Sequence, residues 1–449
     1  MARAARTPLP QPVFHEPIFG EDGSLPDPTG FSTTHPNDGA LYKRIGDLSK
    51  KDVVAVPKSR IAADQMFSLA EAYGNHGPQI VKKITDAGSI AFHAFGDSGA
   101  SNAGKYPNEL RVADQVTLDS ASAAEASRAA FLYHLGDIVY NFGEAQYYYD
   151  QFYEPFRNYP APIFAIPGNH DSFVVPGTKA GQTPLDTFQR NFCSKQNVIT
   201  SEAGSLHRTA MTQPGVYFTL DAPFVRIIGL FSNSLEDPGV ISNLDKKWPA
   251  VSNVQIDFLR AQLQRIKKEK FAGAVVLATH HPAYSYSPPG KSGGTGGNHG
   301  SSTAMLQQID NICHEVGVYP HAFLSGHAHN YQRYTRIMDF GGTEIDVPFI
   351  VCGDGGHNVN SLVRPQKGKP AQEPHAGDEV MYLEGNKGVA KVKHLLLAKY
   401  DDHNYGYLRI YVDKQYLKIG FHQAGVRSLA QSRYDMVTVR LADHHMVAN

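Results

Sequence analysis

Five times along the chain a short apolar run ends in a cluster of glycine and polar residues: SIAFHAFGDSG, AAFLYHLGDIVY, APIFAIPGNHD, GAVVLATHHP and HAFLSGHAHN. Each run has strand length and is rich in residues that fit a pleated, buried surface. Between and after the runs lie segments of helical character, at 118–130, 144–156, 254–270 and 303–316. Strands alternating with helices predict an α/β fold whose sheets are buried between helical layers. Ligands of such folds bind beyond the carboxyl ends of the strands, and all five polar clusters occupy that position.

The flanks carry weaker patterns. Residues 1–40 are rich in Pro, Gly, Asp and Thr and show no period, which predicts an extended surface arm or a partly disordered one. From Ile61 to about Thr85 the spacing predicts a helix, with Ile61, Met66, Leu69, Ala70 and Tyr73 near one face. The chain thus divides into an arm and helix at 1–88, packed on a main domain at 89–449. Segment 215–233 reads as a hairpin followed by a central strand, and 407–423 as an antiparallel hairpin turning through Asp413-Lys414. The Gly/Ser-rich stretch 283–302 is a loop, either a lid over a site or a solvated linker.

Composition narrows the partners. A formal net charge of −1 gives no reason to expect nucleic acid or an acidic membrane surface, and no stretch has the length of an apolar membrane span. No apolar h-region follows the early arginines, so the expected location is cytoplasmic, or periplasmic or secreted if a leader was removed. Cys193, Cys313 and Cys352 lie far apart and are expected to be reduced thiols. Oligomeric state is open. The 21 histidines matter only where they converge.

They converge at the strand ends. Asp97 lies in GDSG, Asp137 and Tyr140 in GDIVY, Asn169 and His170 in GNHD, His280 in THHP, and His327 and His329 in GHAH. Any one alone is weak, since a strand-end Asp commonly caps a helix and a lone His is commonly structural. Carboxylates, an amide oxygen and imidazoles at successive strand ends share one plausible task, the binding of hard-to-borderline metal ions.

In order, these segments resemble the five blocks of the calcineurin-like metallophosphoesterases, over roughly the central half of the chain from Asp97 to His329. Within that superfamily the pattern is similar to the purple acid phosphatases. Many relatives carry Asp-x-His in the first block; here the third position is Gly99, and Tyr140 ends the second block instead. A phenolate is a hard anionic donor suited to a trivalent ion. Plant-type members add an N-terminal β-sandwich, for which residues 1–88 show too little strand alternation.

The resemblance implies a four-layer sandwich of two mixed β-sheets flanked by helices, with a dimetal site at the strand ends. It implies that Asp97, Tyr140 and His329 bind Fe(III), that Asn169, His280 and His327 bind Fe(II), Zn(II) or Mn(II), and that Asp137 bridges them. His281 is not implied as a ligand. The expected activity is hydrolysis of a small phosphorylated substrate, as an acid phosphomonoesterase, by a metal-bound hydroxide. A phosphodiesterase or nucleotidase using two divalent ions is the alternative, and a silent scaffold is disfavoured by the intact ligand set. His170 and His299 are the candidates for protonating the leaving group, although His299 follows a longer insertion than the family's substrate loop. Asn102 and Tyr284 are weaker candidates for substrate contact. Asp171 is expected either to orient His170 or to be an exposed loop carboxylate, and 348–358, with His357, to line the pocket.

Overall fold

Burial on both faces makes the apolar runs central strands: every residue of Ser89–Phe95, Ala129–His134 and Ala274–Thr279 is buried. The computed structural model describes residues 53–124, 127–173, 184–204, 206–244, 246–286, 299–366, 369–384, 388–425 and 432–448. The predicted arm at 1–40 and most of the 283–302 loop lie outside the described residues.

The first half of the chain forms β1 (Phe67–Ser68), β2 (Ser89–Phe95), β3 (Ala129–His134), β4 (Ile163–Ala165), β5 (Phe218–Ala222) and β6 (Val225–Leu230). The middle adds β7 (Ala274–Thr279), β8 (Ala322–Ser325), β9 (Tyr331–Phe340), β10 (Thr343–Cys352), β11 (Arg364–Gln366), β12 (Lys369–Gln372) and β13 (Asp378–Glu379). The last are β14 (Lys391–Asp401), β15 (Gly406–Asp413), β16 (Tyr416–Gln423), β17 (Arg433–Arg440) and β18 (Met446–Val447). The α-helices are α1 (Leu69–Ala72), α2 (Gly77–Ala87), α3 (Tyr106–Ser122), α4 (Asp186–Phe192), α5 (Val254–Glu269) and α6 (Thr303–Val316).

Two mixed sheets result. One has nine strands in the order β1-β5-β6-β7-β8-β10-β9-β14-β13, the other seven in the order β18-β17-β16-β15-β2-β3-β4, and β11-β12 is a separate hairpin. The sheets meet face to face through aromatic side chains. Phe164 of the seven-stranded sheet lies 6.2 Å from Phe67 and 6.3 Å from Phe218 of the other, and Tyr133 lies 6.1 Å from Phe218. Helices α5 and α6 bury Phe258, Leu259, Leu263 and Ile266, and Met305, Leu306, Ile309 and Cys313, at helical spacing. This is the α/β sandwich of two mixed sheets flanked by helices that was expected.

Three helix expectations need correction. The 61–85 pattern is interrupted: Ser68 and Glu71 form a capping box that starts α1 only at Leu69. Gly74, at φ 56°, then breaks it, and Pro78 in the first turn of α2 restarts the helix. The Ala-rich segment 118–130 is the tail of α3, which begins much earlier; its end is captured by the sheet, where Ala129 pairs with Ala91. Local helix propensity loses there to strand pairing. Segment 144–156 forms a 3-10 turn at Ala145–Tyr147 and a π turn at Tyr149–Tyr153. Tyr147, Tyr148, Phe152, Tyr153 and Phe156 are all buried, so no amphipathic face exists to set an α-helix. The helices at 254–269 and 303–316 and the hairpins at 218–230 and 406–423 form as expected, the last turning after Asp413.

Gly229 of β6 marks the tightest approach of the sheets. A Cβ there would overlap the Tyr133 hydroxyl and lie 2.8 Å from Ile166 Cγ2. Gly229→Ala is therefore expected to cost about 2 kcal/mol by overpacking, read as a lower midpoint in urea unfolding with an unchanged slope. An unchanged midpoint would show that the sheets can part without penalty.

Candidate metal centre

Two sets of parallel strands aim at one crevice. Strands β2, β3 and β4 run parallel in one sheet, and β7, β8 and β10 in the other. Asp97, Asp137 and Asn169 follow the first three; His280, His327 and Asp354 follow the second three. Asp97, Asp137 and His327 adopt φ of 58°, 55° and 68°. Left-handed backbone at non-glycine residues is strained, and it survives here because surrounding bonds hold it. His327 N–H donates to Asp97 Oδ2 at 2.7 Å, and His170 N–H to Asp137 Oδ1 at 2.9 Å. At Gly168 a Cβ would overlap the Asp137 carboxylate, so only glycine lets the GNHD turn approach.

The side chains gather into two groups. In the first, the Tyr140 hydroxyl lies 2.8 Å from Asp137 Oδ2, 3.1 Å from Asp97 Oδ1 and 3.2 Å from His329 Nε2. In the second, Asn169 Oδ1 lies 3.0 Å from both His280 Nε2 and His327 Nδ1, which are 3.2 Å from each other. Asp137 Oδ1 is 3.4 Å from His280 Nε2, so its two oxygens face different groups. All these residues are buried.

Partners on the far side fix which atoms point inward. His280 Nδ1 lies 2.8 Å from the Leu135 carbonyl and His327 Nε2 lies 2.5 Å from the Glu236 carbonyl, so both donate there. The Asn169 amide nitrogen turns toward Glu236 Oε2 at 3.4 Å, leaving its oxygen inward. His280 Nε2, His327 Nδ1 and Asn169 Oδ1 are thus the atoms left facing one another. Ligand atoms about 2.1 Å from a metal and at right angles lie about 3.0 Å apart, which is the spacing found. The residues fit a cation in each group.

The electrostatics agree. Burial opposes charge on His280, yet the adjacent Asp137 carboxylate carries its pKa up to about 9. Burial would raise Asp137, but His280 and His170 hold it well below the usual carboxylate range. Burial, then Asp137 and Asp97, push the Tyr140 phenol well above its ordinary value. In the polypeptide itself, protons neutralise this crowd of acceptors; a cation would displace them.

Around this centre the predicted residues divide. His170 donates from Nδ1 to the Asn141 carbonyl at 2.7 Å and its ring lies 4.3 Å from that of Tyr140. His299 packs 3.8 Å from the His327 ring, with Glu236 Oε1 and Asp237 Oδ2 at 3.6 and 3.9 Å. Burial opposes charge on His299, but Asp237 and Glu236 raise its pKa above the ordinary value. His281 is held by Ser232 and the Leu235 carbonyl, away from the donors.

Asp171 neither orients His170 nor lies exposed: its buried carboxylate accepts from the N–H groups of Ile138, Val139 and Gly168. The two candidates for substrate contact lie in different surroundings. Asn102 is exposed and spends its side-chain oxygen on the Gly104 and Lys105 N–H groups, closing a turn. Tyr284 is buried, donates to Glu384 and packs on Phe349, and Arg336 pairs with both Glu384 and Asp310.

Sequence reasoning missed Glu236, Asp237 and Lys105. Asp237 accepts from Gly300 N–H at 2.9 Å and so ties the His299 turn to the centre. Lys105 Nζ lies 2.8 Å from His357 Nε2, while His357 Nδ1 donates to the Gly99 carbonyl and its ring stacks 3.5 Å from Tyr140. Burial lowers Lys105 to about 8. The Glu-Asp-Pro run at 236–238 was the one available signal; Lys105 had none.

Residues 90–331, more than half of the chain, match the calcineurin-like phosphoesterase family. No curated protein matches the chain. Among solved structures, "GAP50 the anchor in the inner membrane complex of Plasmodium" is 10% identical with a TM-score of 0.43, covering 76% of this chain and 86% of that one. "Structure of PhoD" is 12% identical with a TM-score of 0.44, covering 80% and 72%. Both likenesses are too distant to bear on chemistry.

Asp171→Ala leaves three buried N–H groups without an acceptor. It is expected to cost about 3 kcal/mol and to lower the metal content of purified protein, with Asp171→Asn retaining part of both. Full metal content in the alanine variant would show that the two turns hold without it.

Proposed function

The chain belongs to the calcineurin-like phosphoesterase family, whose chemistry is metal-dependent phosphoester hydrolysis, and from that premise we propose a phosphomonoesterase of purple acid phosphatase type. The observation that supports the finer reading is the Tyr140 hydroxyl, which shares one group of donors with Asp97, Asp137 and His329. In this reading Asp97, Tyr140 and His329 would hold Fe(III), Asn169, His280 and His327 would hold Fe(II), Zn(II) or Mn(II), and Asp137 would serve both. Two ions so held supply Lewis acidity toward phosphoryl oxygens and acidify water to serve as nucleophile.

The protein's own groups do the rest. Asp137 is fixed by the His170 N–H, so one carboxylate keeps both halves of the centre in register. With Nδ1 engaged by Asn141, His170 has Nε2 left to reach the departing oxygen. His299, its cationic form favoured by Glu236 and Asp237, stands on the His327 side and donates a proton to the leaving alkoxide. Substrates are small phosphate monoesters.

Metal analysis with an absorption spectrum tests the metal assignment. Two metals per chain, iron among them, and a visible band that Tyr140→Phe removes are the expected result. Colourless protein holding only zinc or manganese would overturn it in favour of a two-divalent diesterase or nucleotidase. His299→Ala is expected to slow hydrolysis of alkyl phosphates about 100-fold and of activated aryl phosphates much less. Equal losses on both esters would remove His299 as proton donor.

A further inference from the structure

The seven-stranded sheet carries a cavity of about 410 Å³ between its β15–β17 face and the end of α3, lined by Arg409, Lys418, Arg433, Asp119, His422 and Tyr411 among others. In the ladder Tyr411 pairs with Lys418, Arg409 with Gly420, and His422 with Arg433, which brings these side chains to one face. Gly420, opposite Arg409, contributes no side chain, and His422 and Met436 close over it: a Cβ there would lie 3.2 Å from each.

Charge there is unbalanced. Arg409 pairs with the buried Asp119 and also donates to the Ser127 carbonyl at 2.8 Å. Lys418 lies over the rings of Tyr411 and Tyr416 at 5.7 and 5.8 Å. Among the described residues neither Lys418 nor Arg433 has a carboxylate partner, and Asp119 is the one carboxylate lining the cavity. Among the described residues, three cations therefore line the cavity with one carboxylate. Burial, Arg409, His93 and Arg433 hold His422 down to about 4, so it stays neutral and is engaged by Ser432.

We propose that this cavity binds a small phosphate-type dianion. A dianion neutralises the excess charge of the described lining residues, whereas a monocarboxylate leaves half of it. A planar guanidinium fork and an ammonium arriving from different strands suit a tetrahedral oxyanion with several acceptor atoms. The volume takes a small molecule, and Tyr411 in the wall offers a ring to an ester group. This site is separate from the metal centre and does not rest on the reading given for it.

The test is equilibrium dialysis of labelled inorganic phosphate with the metal-loaded full chain, compared with the double variant Lys418→Gln/Arg433→Gln. Competitive inhibition of ester hydrolysis by phosphate serves as the control for the metal centre. One phosphate per chain is expected to be lost, or weakened more than 10-fold, with the inhibition constant unchanged. Arg433→Lys alone is expected to retain binding. Arg433 is exposed and Lys418 half-buried, so melting in phosphate-free buffer should match the parent. Unchanged stoichiometry, or binding and inhibition lost together, would overturn the site. Phenylphosphonate binding more tightly than phosphate supports it with an ester as occupant; the reverse order supports it with free phosphate.

Discussion

Everything at the centre follows from the crowding of electron-pair donors that only a shared proton or a cation can reconcile. Asn169 Oδ1, His280 Nε2 and His327 Nδ1 stand about one octahedral edge apart. Alone, such a group repels itself, and only a proton or a cation relieves it. The pKa shifts express this directly: against the cost of burial Asp137 carries His280 up to about 9, and burial, then Asp137 and Asp97, push the Tyr140 phenol well above its ordinary value. Protonation and metal loading therefore compete for the same atoms.

Such crowding persists only inside a scaffold that does not yield. Two sheets packed through Phe67, Tyr133, Phe164 and Phe218 bring two sets of parallel strands to one crevice. Left-handed turns at Asp97, Asp137 and His327 place the donors, and single groups tie separate turns together. Asp171 joins the second and third turns, Asp97 holds the fifth, and Asp237 holds the turn bearing His299. The local strain is carried by bonds between segments distant in sequence.

The cationic cavity on the other sheet follows a different rule. There an ordinary antiparallel ladder places Arg409, Lys418 and Arg433 on one face, and their mutual repulsion is only partly offset by Asp119. The metal centre collects acceptors and calls for cations; this cavity collects donors and calls for an anion.

The apolar runs, the polar clusters ending them and the donor types in those clusters were legible in the sequence. Strand periodicity and strand-end position are local properties, and the ligand candidates needed nothing more to be found together. Helix limits near 61–85 and 118–130 were not legible, because a capping box and a strand pairing overrode local propensity. Nor were the orienting groups. The carbonyls of Leu135 and Glu236 that set the histidine tautomers have no side-chain signature at all. Lys105 meets His357 across 252 residues, and Tyr284 donates to Glu384 across 100. The sequence by itself determined which residues are candidates to hold a metal. Only the tertiary structure decided which of them face inward, because that choice depends on backbone groups and partners distant along the chain.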